Sequence, residues 1–240
     1  MPLEIVGDEL PSISQIRERH DRLLARLRQM AEDNGHDPDR LRIVAVTKTW
    51  PVDVVRTALD AGLTRLGESR IQEAEPKIVD LPEAEWHFIG RLQSNKARRA
   101  VRIFSVIHSV DSIELLRRIG ELADEEGRRP AILLQVNVSG EEAKAGLAPD
   151  DLLAASLPTD GLIGLMTIAP MGASVADARA VFARLRELRD RLQDAAGIGL
   201  PELSMGMSAD AEAAAAEGAT LVRIGTALFG PRPDAAILGR

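Results

Sequence analysis

The chain has 240 residues, 45% of them hydrophobic, and a formal net charge of −7. That is enough for one sizeable core, and it gives no global positive field for nucleic acid or an acidic membrane face. It contains no cysteine, which excludes disulfides, thiolate nucleophiles and cysteine-based zinc or iron–sulfur sites.

The N-terminal stretch MPLEIVGDELPSISQIRERH mixes acids, bases and apolar residues and has neither region of a signal peptide; no run approaches transmembrane length. A cytoplasmic protein is expected. Residues 12–34 space Ile13, Ile16, Leu23, Leu24, Leu27 and Met30 helically, with Ser12 or Ser14 as N-cap. The first 38 residues therefore read as a helical extension. The run LRIVAVTK then reads as a parallel strand covered on both faces, at 41–47.

Further strands are expected at 65–67, 86–89, 105–108, 132–137, 162–167, 202–205 and 220–224. Helices fall between them at 52–61, 71–79, 94–101, 113–126, 149–156, 175–195 and 209–217, with a closing helix after the last strand. This alternation predicts an α/β fold. A doubly wound sheet produces the same order, but its first βα turn is usually glycine-rich, and here that turn reads TKTWP. A (β/α)8 barrel over 40–232 is expected, in a single domain spanning 1–240, with no residues left for a second catalytic domain.

Barrel active sites lie at the C-terminal ends of the strands. Lys48, after six largely apolar residues, is the first candidate. Burial favours the free amine, which attacks an aldehyde to form an imine; the alternative is a lysine snorkelling from a strand end into water. ELSMGMSAD and VRIGTALFG follow the last two strands, each a small-residue turn before a helix. Such turns suit phosphate, although they also cap ordinary helices. Arg223 ends the eighth strand and can only donate, to a ring nitrogen or to a carboxylate at the rim. His87 lies inside a strand, structural or catalytic. The histidines at 20, 36, 87 and 108 have no ligand spacing, so no metal is expected. The basic run RLQSNKARRAVR lacks interleaved aromatics and reads as a solvated helix face.

The strings VAVTK, WHFIGRLQSNK, HSVDS, NVSGEEAKAG, GLMTI, LSMGMSAD and VRIGTALFG resemble the pyridoxal phosphate (PLP) homeostasis protein family. These proteins are stand-alone barrel relatives of the alanine racemase N-terminal domain. The resemblance implies a fold-type III barrel in which Lys48 carries pyridoxal 5'-phosphate as a Schiff base. It implies that Ser208, Gly225 and Thr226 hold the phosphate, that Ser204 and Gly206 shape the turn, and that Arg223 faces the pyridine nitrogen. Where the family shows Gly-Glu-Asn, this chain has Gly67, Glu68 and Ser69, so a serine hydroxyl stands in for the amide. His87 is carried as a further cofactor-pocket residue, and no residue is assigned as catalytic.

The expected role is PLP binding in intracellular PLP homeostasis, with delivery to apo PLP-dependent enzymes. Nucleic acid and membranes are not expected as partners, and the expected state is a monomer. Lys144 in NVSGEEAKAG is a candidate transient acceptor or a solvated loop lysine. The alternative function is an amino-acid racemase, which needs proton-moving groups on opposite faces of its substrate. The related racemase takes one such group from a tyrosine on a separate domain, and this chain has no tyrosine. A phosphosugar-type barrel enzyme would also use the last two loops for phosphate, but it leaves Lys48 less naturally explained.

Overall fold

The computed structural model describes residues 10–141, 145–158 and 160–231. Eight parallel strands run β1 (Arg42–Val46), β2 (Arg65–Glu68), β3 (Glu85–Phe88), β4 (Val106–Val110), β5 (Ala131–Gln135), β6 (Leu162–Met166), β7 (Glu202–Met207) and β8 (Leu221–Ile224). They pair in sequence order, and β8 returns to β1, with Val44 opposite Arg223. The sheet is therefore closed, as in a (β/α)8 barrel, and the open doubly wound alternative is not formed. The helices are α1 (Ile13–Asp33), α2 (Val52–Asp60), α3 (Ile71–Asp80), α4 (Ala97–Ile103), α5 (Ile113–Glu126), α6 (Pro149–Ala154), α7 (Val175–Ala196), α8 (Ala211–Ala216) and α9 (Thr226–Phe229).

Closure divides the apolar residues into two cores. Because successive strand side chains point to opposite faces, Ile43, Leu66, Trp86, Ile107 and Leu203 face outward and join the core beneath the helices. Val44, Val106, Leu133, Met166 and Leu221 fill the lumen as a separate cluster. The lumen is thus packed and closed, and chemistry is confined to its C-terminal mouth.

Helix α1 begins at a capping box, in which Ser12 accepts from the Gln15 N–H and the Gln15 side chain accepts from the Ser12 N–H. It packs against α2, α8 and α9. Alanines line the buried face of α8, so α1 comes close and is tied there by Arg26 to Glu212 at 2.6 Å and by Arg19 to the Leu228 carbonyl at 3.0 Å. The extension thereby thickens the outer wall where α8 and α9 are short.

Several boundaries shift by a residue or two from expectation, and two of the differences have clear local reasons. The helix expected at 94–101 begins as a 3₁₀ turn at Ser94–Lys96, and α4 follows. Strand β7 runs to Met207 instead of stopping at 205, because Gly206 takes φ +88° and the register slips between Ser204 and Met207. A Cβ at Gly206 would lie 2.5 Å from the Ala214 Cβ, so only glycine allows this bulge to fit beneath α8.

Helix α3 is anchored to the outer face of the barrel by a buried ion pair. Lys77 Nζ donates to Glu68 Oε1 at 2.6 Å and to the Thr47 carbonyl at 2.9 Å, while Thr47 Oγ1 donates to Glu68 Oε1 at 2.7 Å. Burial pushes the Glu68 carboxyl up and Lys77 pulls it back down. The short contact with Lys77 holds the two groups as an ionised pair. Removing one member strands the other. Lys77→Met is expected to cost about 3–5 kcal/mol in chemical denaturation, with much of the loss recovered in the double variant Lys77→Met/Glu68→Gln. Equal stability of Lys77→Met and the unaltered chain would show that the pair does not hold α3.

Candidate functional site

The two-residue step from Val44 through Val46 leads to Lys48 at the C-terminal rim of β1. Its backbone is held on both sides. The preceding carbonyl, that of Thr47, accepts from Lys77, and the following N–H, that of Thr49, donates to Glu73 Oε2 at 3.2 Å. Thr49 has φ +69°, an outlying conformation for a β-branched residue that costs on the order of 1–3 kcal/mol. Arg70 donates to Glu73 at 3.1 Å, and these contacts keep the Glu73 carboxyl below its ordinary range although burial opposes them. The Lys48 side chain is half-buried and makes no hydrogen bond or ion pair among the described residues. A fixed backbone therefore presents an amine with no partner among the described residues.

The neighbouring strand β8 ends at Arg223 and Ile224. Arg223 is 4% exposed, donates to Ser204 Oγ at 2.6 Å and to the Thr167 carbonyl at 2.9 Å, and has no carboxylate partner among the described residues. Burial lowers its pKa to about 10, with Asp210 acting in the opposite direction, so it remains a cation at neutral pH. Three of its five N–H groups have no acceptor among the described residues.

Beyond β8, Gly225 leads into α9 at Thr226, and beyond β7, Ser208 leads into α8. The two loops meet where the Ala227 N–H donates to Ser208 Oγ at 3.4 Å. Ser208 and Thr226 are exposed at the rim, and first-turn amides lack intrahelical acceptors. A Cβ added at Gly225 would make only ordinary contact, 3.6 Å from the Val46 Cβ, so packing within the protein does not demand glycine there. On the β2 side, Ser69 is half-buried, and Gly90 presses against it so closely that a Cβ at position 90 would lie 2.1 Å from the Ser69 carbonyl.

His87 lies lower, on the lumen side of β3, and is 1% exposed. Its Nδ1 is 2.8 Å from His108 Nε2 and its Nε2 is 3.1 Å from Glu85 Oε1. His108 Nδ1 is in turn 2.8 Å from Ser204 Oγ. Burial, with the Arg223 charge acting on His108, holds both imidazoles below their ordinary pKa. Thus Lys48, Ser69, Gly225, Thr226, Ser208 and Arg223 gather at the rim. Ser204 sits beneath Arg223, Gly206 supports β7, and His87 is reached only through His108. His108 was not singled out from the sequence, because the step that matters is between adjacent strands and not along the chain. The signal available was that HSV, like WHF, places a histidine inside a strand.

Lys144 lies outside the described residues. In the basic run, Arg98 and Arg102 pair with Glu126, and Arg99 pairs with Glu75, which agrees with a solvated helix face. Among the described residues no cluster of His, Asp or Glu is placed to hold a metal, and no helix is long and apolar enough to cross a membrane. The donor set suits a phosphorylated aromatic aldehyde: an unpartnered amine for the carbonyl, a donor-only cation for a ring acceptor, and hydroxyl and amide donors for an anion.

The alanine racemase N-terminal domain model matches residues 19–233. The chain is 46% identical over 234 residues to a pyridoxal phosphate homeostasis protein of Pseudomonas aeruginosa, covering 92% of this chain and 97% of the relative. It is 42% identical over 222 residues to a protein of the same name from Aquifex aeolicus, covering 90% and 97%. The solved structure of PipY from Synechococcus elongatus with PLP bound superposes with a TM-score of 0.79 at 42% identity, covering 90% of this chain and 100% of PipY. With matches that span nearly the whole of each chain, this protein belongs to the alanine racemase N-terminal domain family and, within it, to the pyridoxal phosphate homeostasis proteins.

Proposed function

We propose that this chain binds PLP at the barrel mouth through Lys48 and holds it for delivery to apo-enzymes, without turning over a substrate. The observation that carries the reading is that the paired strands β1 and β8 lead, at the C-terminal end of the barrel, to an amine and a guanidinium without anionic partners: among the described residues Lys48 makes no hydrogen bond or ion pair, and buried Arg223 contacts no carboxylate. PLP supplies an aldehyde that a primary amine takes up reversibly. Lys48 holds that end. Arg223 offers N–H donors to the ring nitrogen and opposes its protonation. The loops at Ser208 and Gly225–Thr226 receive the phosphate, and Ser69 lines the side toward β2. The relatives' names and the PLP-bound PipY structure support this choice of ligand.

Racemisation is the weaker reading. It needs a proton-moving group on each face of the substrate, and the chain has no tyrosine. His87 is the substitute considered from sequence, and both its ring nitrogens are within hydrogen-bonding distance of protein partners below the mouth. An arginine beside the ring nitrogen also weakens the ring as an electron sink.

Borohydride reduction of the PLP-loaded protein, followed by peptide mass mapping, is expected to place the pyridoxyl group on Lys48. Lys48→Ala is expected to stay folded and lose covalent retention. A label found on another lysine alone would remove the assignment. Thr226→Ala is expected to weaken PLP by about tenfold to a hundredfold, the range for one charge-assisted hydrogen bond, and to leave pyridoxal nearly unaffected; equal losses would place the phosphate elsewhere. Incubation with L-alanine in deuterated water is expected to give at most marginal racemisation and α-deuteration, while PLP passes to an added apo-enzyme. Racemisation at ordinary enzymatic rates that disappears in Lys48→Ala would reverse the choice between the two functions.

A further inference from the structure

Five polar side chains cross the lumen in one unbroken series. Glu85 stands at the N-terminal end of β3, and His87 lies two residues above it on the same face. His108 on β4 reaches across the barrel to Ser204 on β7, and Ser204 meets Arg223 on β8. The links measure 3.1, 2.8, 2.8 and 2.6 Å from Glu85 to Arg223. Among the described residues no other hydrogen-bond partner is present for the Ser204 hydroxyl or for either ring.

The chemistry of the two ends sets the direction of every proton in between. A guanidinium only donates, so Ser204 Oγ must accept from Arg223. Its own proton then has one acceptor available, His108 Nδ1. That leaves His108 neutral with its proton on Nε2, which donates to His87 Nδ1. His87 in turn carries its proton on Nε2 and donates to the Glu85 carboxylate. A proton added to His87 Nδ1 would face the His108 Nε2–H donor, and one added to His108 Nδ1 would leave the Ser204 proton without an acceptor, so the series favours two neutral histidines in a single tautomer. Every dipole in it presents its acceptor end toward Arg223 and its donor end toward Glu85, an arrangement that stabilises a cation at one end and an anion at the other.

Placing the carboxylate at the far end has a consequence. Glu85 is 42% exposed and lies 3.4 Å from Arg65, where water lowers the cost of a charge. Had a carboxylate touched Arg223 directly, it would have consumed the donors that face the mouth. We infer that Ser204, His108, His87 and Glu85 form a one-way hydrogen-bond chain that holds the Arg223 guanidinium for the cofactor's ring nitrogen and couples it to the carboxylate at the opposite rim. The inference rests on the reading that PLP occupies the mouth, and it assigns Ser204, His108, His87 and Glu85 as positioning residues.

The test has a ligand-free arm and a loaded arm. Two-bond proton–nitrogen correlation spectra of the ligand-free chain at about pH 7 are expected to show His87 and His108 neutral and protonated on Nε2. Ser204→Ala is expected to move the His108 resonances. Glu85→Gln keeps an acceptor for His87 at a half-exposed position and is expected to move the resonances of both rings and of the Arg223 side chain. A charged histidine, or one protonated on Nδ1, would refute the chain whether or not PLP binds. In the loaded arm, ¹⁵N-labelled PLP is titrated into the same proteins. Ser204→Ala is expected to bind it about tenfold to a hundredfold more weakly and to shift the ring-nitrogen resonance, and Glu85→Gln to shift that resonance in the same direction by less. If both folded variants match the unaltered chain in affinity and ring-nitrogen shift, the positioning role is wrong while the PLP site stands. If the unaltered chain fails to take up PLP, the site itself is wrong and the tautomer result is read separately.

Discussion

A guanidinium sealed inside a barrel must have its charge answered without being cancelled. Taking such an ion out of water costs several kcal/mol even after the protein relaxes, and Arg223 is 4% exposed. The usual remedy is a carboxylate in contact. Here the first contacts are a hydroxyl and a backbone carbonyl, the Asp210 carboxylate acts from further away, and Glu85 stands at the far end of the hydrogen-bonded series. The charge is thus stabilised but still directed at the mouth. Much of the lumen around it is apolar, with Val44, Val106, Leu133, Met166 and Leu221, which keeps water from screening what the mouth presents.

The same wall of the barrel carries a second polar network on its other face. Thr47 points outward to Glu68 and Lys77, while the two-residue step from Val44 assigns Lys48 to the inner side. Alternation along one strand therefore separates the group that fixes the backbone from the group proposed to meet the ligand. A one-residue slip of β1 would exchange them. The closing ladder between β1 and β8, with Val44 opposite Arg223, both completes the barrel and makes neighbours of the strands that lead to Lys48 and carry Arg223.

The order of strands and helices was legible because parallel strands buried on both faces are short apolar runs, and LRIVAV is such a run. Lys48, Arg223 and the two final loops were legible because they end those runs. The two networks were not. Ser204 and His108 are 96 residues apart and meet only because β4 and β7 face each other across a closed lumen. Nothing in the order of residues marks Glu68 and Lys77 as partners, and only burial between β2 and α3 makes them a pair. The bulge at Gly206 was read as a turn because glycine in a strand and glycine in a loop look alike in sequence; the nearby Ala214 distinguishes them.

Holding a cofactor and using it call for different treatment of protons. A turnover site leaves acids and bases free at the substrate, each matched to its task. In this barrel the imidazoles of His87 and His108 are bonded to one another and held neutral by burial, and Arg223 can only donate. Glu73 is engaged with the Thr49 amide and Arg70. Among the described residues the Lys48 amine and the Thr226 hydroxyl remain unengaged, and the Ser208 hydroxyl is engaged only as acceptor from the Ala227 N–H. Such a set can capture an aldehyde and grip a phosphate. Among the described residues no second proton-moving side chain is seen opposite the amine, and that supports the proposed reading of reversible capture over turnover.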